Sequence, residues 1–231
     1  MALLITQIDQ ATPGWFTDVL TEAGYLDPGK VTDVQNVWST TTIGSFVARL
    51  ELSYSADAPA SAPKKIFLKI SDPAKVSNPE IDSDVGRRID KNEIEFYRAV
   101  TEITHDLPVV RCYDAACDMK TGRAYLLLED LSDTHDQTEW PVPPLRAHCE
   151  QIMDCLANFH AFWWEDTRLG EIPNENIYSD LIPQTQTIAS DFLDFLSDRL
   201  SSHRRKIYEN ASAAFPSLWK TTCSGSITMH F

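Results

Sequence analysis

The chain has 231 residues, of which 43% are hydrophobic, including six Trp, seven Tyr and ten Phe. That is enough for one large domain or two small lobes sharing a cleft, and too apolar for a disordered chain. A formal net charge of −14 sets the surface against nucleic-acid phosphates and anionic lipid, so neither is an expected partner.

Apolar residues at Trp15, Phe16, Val19 and Leu20 share one helical face, with Thr12-Pro13 as a start signal and Gly24 as a stop. From Val31 the period changes to two, and Val31, Asp33, Gln35 and Val37 lie on one side of a predicted strand. A small-residue loop follows, Ser39 to Ser45, and then Phe46, Ala48, Leu50, Leu52 and Tyr54 alternate as a second strand. The Ala/Pro/Ser stretch at 56–63 reads as a loop tip, and Lys65 to Ile70 as a third strand. Pro73 and Pro79 interrupt a polar stretch between Asp72 and Asp90, which reads as irregular. Ile89, Glu93, Phe96, Tyr97 and Val100 then form one face of a helix. Two β-like runs, 109–117 and 123–129, flank a hairpin turn at Lys120-Thr-Gly122.

The polar stretch 132–141 reads as a connector. Pro143-Pro144 then opens a helix whose stripe Leu145, Cys149, Ile152, Leu156, Phe159 and Trp163 runs at spacings of four and three. A last long helix is predicted over about 184–211, with Ile188, Phe192, Phe195 and Leu196 inward. The expected fold class is α+β: a five-stranded antiparallel sheet carrying one helix in residues 1–131, and a helical lobe in 132–231.

Cys112, Cys117, Cys149, Cys155 and Cys223 form no C-x-x-C pair and are odd in number, as expected of reduced, mostly buried thiols in a cytoplasmic protein. The first fifteen residues lack a signal peptide's basic start, and no run approaches the ~20 apolar residues that span a bilayer. The six His show no ligand spacing, so no zinc site is expected. His160 lies on the apolar stripe and reads as a hydrogen-bonded core histidine, and Trp163-Trp164 as packing.

Lys69 sits in an apolar strand and shares a face with Phe67. A lysine on the inner face of a sheet is costly unless an anion meets it. Glu93 falls on the inward face of the following helix, and Glu95 on the other side. The residues alone leave two readings open: a Lys69–Glu93 pair, or two unrelated groups with Lys69 snorkelling to the sheet edge.

The element order, with Lys on the third strand and Glu on the next helix, is that of a protein-kinase-like nucleotide lobe. Phe67-Leu-Lys-Ile70, Asn92-Glu-Ile-Glu-Phe-Tyr-Arg98, Leu107-Pro-Val-Val-Arg-Cys-Tyr113, Leu126-Leu-Leu-Glu-Asp-Leu131 and Leu156-Ala-Asn-Phe-His-Ala-Phe-Trp-Trp164 resemble, in order, five motifs of one family. It is the phosphotransferase family that groups aminoglycoside kinases, choline kinases and ecdysteroid-kinase-like proteins. The resemblance implies ATP and Mg2+ as cofactors and a small-molecule hydroxyl as acceptor. It implies that Lys69, held by Glu93, contacts the α/β-phosphates. Ser39, Thr41, Gly44 and Ser45 would belong to the loop covering the phosphates, although that loop has one glycine where protein kinases carry G-x-G-x-x-G. The main chain from Glu129 to Leu131 would meet the adenine edge, and Glu129 itself reads equally as a ribose contact or a surface acid.

In the resembled family the catalytic Asp and the metal ligands follow an apolar strand, on a loop reading H-x-D-x-x-x-x-N. Ile227-Thr-Met229 resembles that strand, and His230 would open the loop. On this alignment the catalytic Asp and the metal ligands lie downstream of Phe231, so the chain is expected to be inactive alone, with exposed C-lobe helices prone to self-association. Two alternatives stand beside the enzyme: a non-catalytic pseudokinase-like binding module, and an unrelated α+β scaffold in which Lys69 and Glu93 never meet.

Overall fold

The computed structural model describes residues 3–42, 44–71, 83–101, 107–118, 120–135, 142–170 and 178–223. Pro73, Pro79 and residues 136–141 of the expected connector lie outside them, as do Ile227-Thr-Met229, His230 and the chemistry expected there. The chain separates into two compact units, Met1–Trp164 and Glu165–Phe231. The lobe boundary expected at Leu131 falls inside the first.

The first unit is built on a five-stranded antiparallel sheet of order β1-β2-β3-β5-β4, formed by β1 (Val31–Thr41), β2 (Ser45–Tyr54), β3 (Lys65–Ser71), β4 (Cys112–Cys117) and β5 (Ala124–Glu129). Helix α1 (Pro13–Glu22) opens with Pro at its first position, and Thr12 Oγ1 accepts a hydrogen bond from the Trp15 amide at 3.2 Å. Its Trp15, Phe16, Val19 and Leu20 are buried against Ala48, Leu50, Ile66, Leu68 and Leu127 on one face of the sheet. Each such side chain contributes about 1.5–3 kcal/mol by leaving water. Helix α2 (Ser83–Thr101) covers the other face, where Ile94 meets Leu126, Leu128 and Cys112, with Phe67 and Tyr97 at the margin. The sheet therefore carries a helix on each face, not the single helix expected, because β5 is apolar on both sides and Phe67 of β3 adds to the α2 side.

The strand number and antiparallel pairing follow the sequence reading, while several boundaries differ. The segment before Asp90 is helical from Ser83 onward, since most polar and charged residues are as compatible with a helix as with a loop. β1 continues through Thr41, so most of the expected Ser39–Ser45 loop is a paired strand. β4 begins at Cys112, not at Val109. Asp118 organises the β4–β5 turn, accepting from the Lys120 amide and the Thr121 hydroxyl, each at 2.8 Å, and Gly122 takes φ +69.

Helix α3 (Arg146–Trp163) has the expected span, and most of its apolar stripe is exposed, as expected of the C-lobe helices. Trp163 is 6% exposed, whereas Leu145, Ile152 and Leu156 of the same stripe are exposed, Ile152 at 59%. His160 is exposed as well, with its ring 6.4 Å from that of Phe159, so it is no core histidine. Of the thiols, Cys112 is buried and Cys117 half-buried, while Cys149 and Cys155 are exposed rather than buried as expected.

In the second unit the single helix expected at 184–211 is two, α4 (Tyr178–Leu196) and α5 (Ser202–Cys223). The break falls at Ser197, whose φ is +44, and Arg205 Nη2 donates to the carbonyls of Leu193 and Ser197 there. Leu193 is buried, while Ile188, Phe192 and Phe195 are exposed, the reverse of the predicted inward face. The face is turned by one position, which the mixed Ile/Phe/Leu spacing does not distinguish. No helix among the described residues is long and apolar enough to cross a membrane.

Candidate functional site

Cross-strand register determines which side chains share the α2 face. Directly opposed residues of an antiparallel sheet point the same way. Ser45 pairs with Ser71, Val47 with Lys69, Arg49 with Phe67 and Glu51 with Lys65, while Lys69 pairs onward with Leu126. Three cations, Arg49, Lys65 and Lys69, therefore rise from β2 and β3 on the side covered by α2.

Each cation meets an acid. Lys69 Nζ lies 2.5 Å from Glu93 Oε2, with the two side chains 24% and 33% exposed. Arg49 Nε lies 3.1 Å from Asp130 Oδ2, and Arg49 Nη2 also donates to Ser132 Oγ. Lys65 Nζ lies 2.5 Å from Asp133 Oδ2 and 3.8 Å from Glu51 Oε1. Glu95 turns away to Arg98, 3.1 Å distant.

Beyond Lys69 the polar row continues. Ser45 Oγ and Ser71 Oγ are 3.1 Å apart, and Ser71 donates to Asp90 Oδ1 at 3.0 Å. Asp90 precedes Glu93 by three residues on α2, so both carboxylates share the helix side toward Lys69. Burial holds the Asp90 carboxyl above the usual carboxylate range, against the hydrogen bond from Ser71 and the charge of Lys69. Burial also pushes the Tyr97 phenol up to about 12, with Glu93 adding, and the Cys112 thiol up to about 12, with Asp114 adding. Cys112 is thus a protonated thiol at neutral pH and no nucleophile.

Ser45 joins the predicted group through Ser71. Ser39 and Thr41 do not: they pair with Ala48 and Phe46, which belong to the α1 side, and Thr40, opposite Val47, is the β1 hydroxyl on the Lys69 side. Gly44 lies in the tight β1–β2 connection, where the Thr42 amide and hydroxyl donate to the Ser45 carbonyl at 2.7 and 3.0 Å. At the end of β5 the Glu129 amide donates to the Arg111 carbonyl at 2.9 Å. The Leu131 carbonyl accepts from the amides of Thr134 and His135 at 3.0 and 2.9 Å.

Ser71, Asp90 and Arg49 belong to the site without having been singled out in the sequence. Ser71 is two residues beyond Lys69 on the strand period, and Asp90 is three before Glu93 on the helix period. Reading Asp72–Asp90 as irregular hid the second relation.

An open groove of about 1040 Å³ lies beside α3, lined by Tyr97, Val109, His135, His148, Ile152 and Phe159 among others. Lys69 and Glu93 are not among its lining residues. Among the described residues no three His, Cys, Asp or Glu side chains converge to hold a metal ion. No protein-family model matches the chain, and no curated protein sequence matches it.

Proposed function

We propose that this chain captures ATP as the nucleotide-binding part of a cytoplasmic phosphotransferase of the aminoglycoside-, choline- and ecdysteroid-kinase-like type, acting on a small-molecule hydroxyl through a protein-kinase-like fold. The observation that carries the reading is the Lys69–Glu93 pair, 2.5 Å apart on the α2 face. An ammonium has three donors and Glu93 takes one, which leaves directions suited to phosphate oxygens. Glu93 fixes the ammonium, so a triphosphate meets a positioned cation. The acceptor-side aspartate and the Mg2+ ligands belong, in the resembled family, to the loop after His230, outside the described residues.

A second reading, a non-catalytic binding module on the same scaffold, is favoured by the second carboxylate beside Lys69. Glu93 already balances the ammonium and Asp90 stands beside them, so the local field does not favour a triphosphate unless a divalent cation accompanies it.

Calorimetric titration with Mg-ATP and with metal-free ATP tests both readings. Nucleotide capture requires that wild type bind Mg-ATP and that Lys69→Met weaken it by at least about 10-fold, the loss of one charge-assisted contact. A folded wild type that ignores Mg-ATP supports the module. Equal binding by Lys69→Met refutes the role assigned to the pair.

A further inference from the structure

We infer that Arg49 is a positioning residue for the nucleotide: it holds the main chain that leaves β5 in the form an adenine edge would meet. The inference rests on the nucleotide reading proposed above and adds a residue that neither the motifs nor the Lys69–Glu93 pair identifies.

Arg49 stands on the α2 face opposite Phe67. Its guanidinium makes two contacts with one short segment, Nε to Asp130 at 3.1 Å and Nη2 to Ser132 Oγ. The other oxygen of Asp130 accepts from the Ser132 amide at 2.9 Å. The Asp130 side chain is 5% exposed. Burial works against its ionisation, but the hydrogen bonds from Ser132 and Arg49 outweigh burial and hold the carboxyl below the usual carboxylate range.

A carboxylate this enclosed needs its cation, and removal of Arg49 would leave it buried and unpaired. Thr134 and His135, just beyond, are already committed, since their amides close a turn on the Leu131 carbonyl. Arg49 therefore grips the residues on either side of Leu131, and the turn closes on the Leu131 carbonyl. A recognition edge ordered before binding avoids an entropy cost on binding. The neighbouring Lys65–Asp133 pair is exposed on both sides, so it contributes far less to holding the segment.

The test combines Mg-ATP titration with amide hydrogen exchange of the nucleotide-free chain. The variants are Arg49→Gln, Arg49→Lys, Asp130→Asn and Lys69→Met. Asp130→Asn removes the buried charge and leaves one oxygen where Arg49 and Ser132 now use two, and so keeps the test open where Arg49→Gln fails to fold. Arg49→Gln and Asp130→Asn are expected to speed exchange at Ser132, Thr134 and His135 and to weaken Mg-ATP on the order of 10-fold. Arg49→Lys, with the charge but not the two-point reach, falls between. Lys69→Met weakens Mg-ATP without changing exchange at those amides. Faster exchange with wild-type affinity overturns the inference and leaves the nucleotide reading standing, and unchanged exchange overturns it too. Failure of the wild type to bind Mg-ATP overturns both.

Discussion

Ser71 donates its hydroxyl proton to Asp90 across 3.0 Å, tying the end of β3 to the helix on which Glu93 stands three residues further on. Ser71 is only 3% exposed, so the bond forms away from water. Burial is the largest influence on Asp90 and raises its pKa. The Ser71 bond and Lys69 pull it down, Glu93 adds to the rise, and the outcome is upward. A carboxyl whose pKa is higher folded than unfolded binds more protons in the folded state between those two values. Stability therefore falls as pH rises through that interval, and the Asp90 carboxyl is a standing cost above it. Asp90→Asn keeps an oxygen for Ser71 and cannot ionise. It is expected to melt ~1–3 °C higher than wild type at pH 7. The gain should shrink as pH drops through the folded pKa toward the ordinary Asp value of about 3.9. Melting curves from pH 4 to 8 check this, and a lower melting point for Asp90→Asn at pH 7 contradicts the assignment.

The Lys69–Glu93 pair should couple measurably in stability as well as in binding. Both side chains keep a quarter to a third of their exposure, so solvent screens the attraction and the coupling is modest. A double-mutant cycle with Lys69→Met and Glu93→Gln, read by urea unfolding at pH 7, is expected to give about 1 kcal/mol. A coupling near zero would mean that the two groups stand together without holding each other.

How much of this was legible in the sequence depended on whether a residue's role is local. Phe46, Ala48, Leu50 and Leu52 declare the α1 face of β2 by alternation, and β2, β3 and β5 lie where their periods put them. Lys69 and Glu93 were readable as inward because each interrupts an apolar pattern of its own element. Arg49 does not: it occupies the polar phase of β2, which in isolation reads as solvent-facing, and its partner Asp130 is 81 residues away. The packing of α3 and the exposure of its stripe are non-local in the same way, since periodicity reports which residues share a face but not what covers it.

That exposure has consequences for α3. Ile152 and Leu156 are largely in solvent, whereas Trp163 on the same helix is buried. Ile152→Ser is expected to change stability by no more than about 0.5 kcal/mol, within the surface range. Trp163→Ala should cost ~3 kcal/mol or more, as for other buried aromatic side chains. Urea unfolding separates the two. If self-association proceeds through the exposed stripe, Ile152→Glu paired with Leu156→Glu should shift sedimentation toward the monomer. An unchanged distribution removes α3 from that interface.

Two glycines with positive φ provide a contrast that no contact inventory predicts. Gly24, past the end of α1, has φ +78 and open space where a Cβ would stand. Gly24→Ala therefore carries only the left-handed backbone penalty, roughly 1 kcal/mol. Gly29, just before β1, has φ +114, and its Cβ would stand 2.7 Å from the Ala58 Cα and 3.0 Å from the Ala58 backbone nitrogen. Backbone atoms cannot swing aside as the end of a flexible side chain does. Gly29→Ala must either move the 55–62 loop or distort the approach to β1, where the Lys30 amide donates to Ser55 Oγ at 2.9 Å and the Ser55 amide to the Lys30 carbonyl at 2.9 Å. The expected cost is about 3 kcal/mol, strain and clash together, against the smaller loss at Gly24. Equal losses for the two variants in urea unfolding would show that the 55–62 loop yields, and that its close approach to Gly29 does not constrain the start of the sheet.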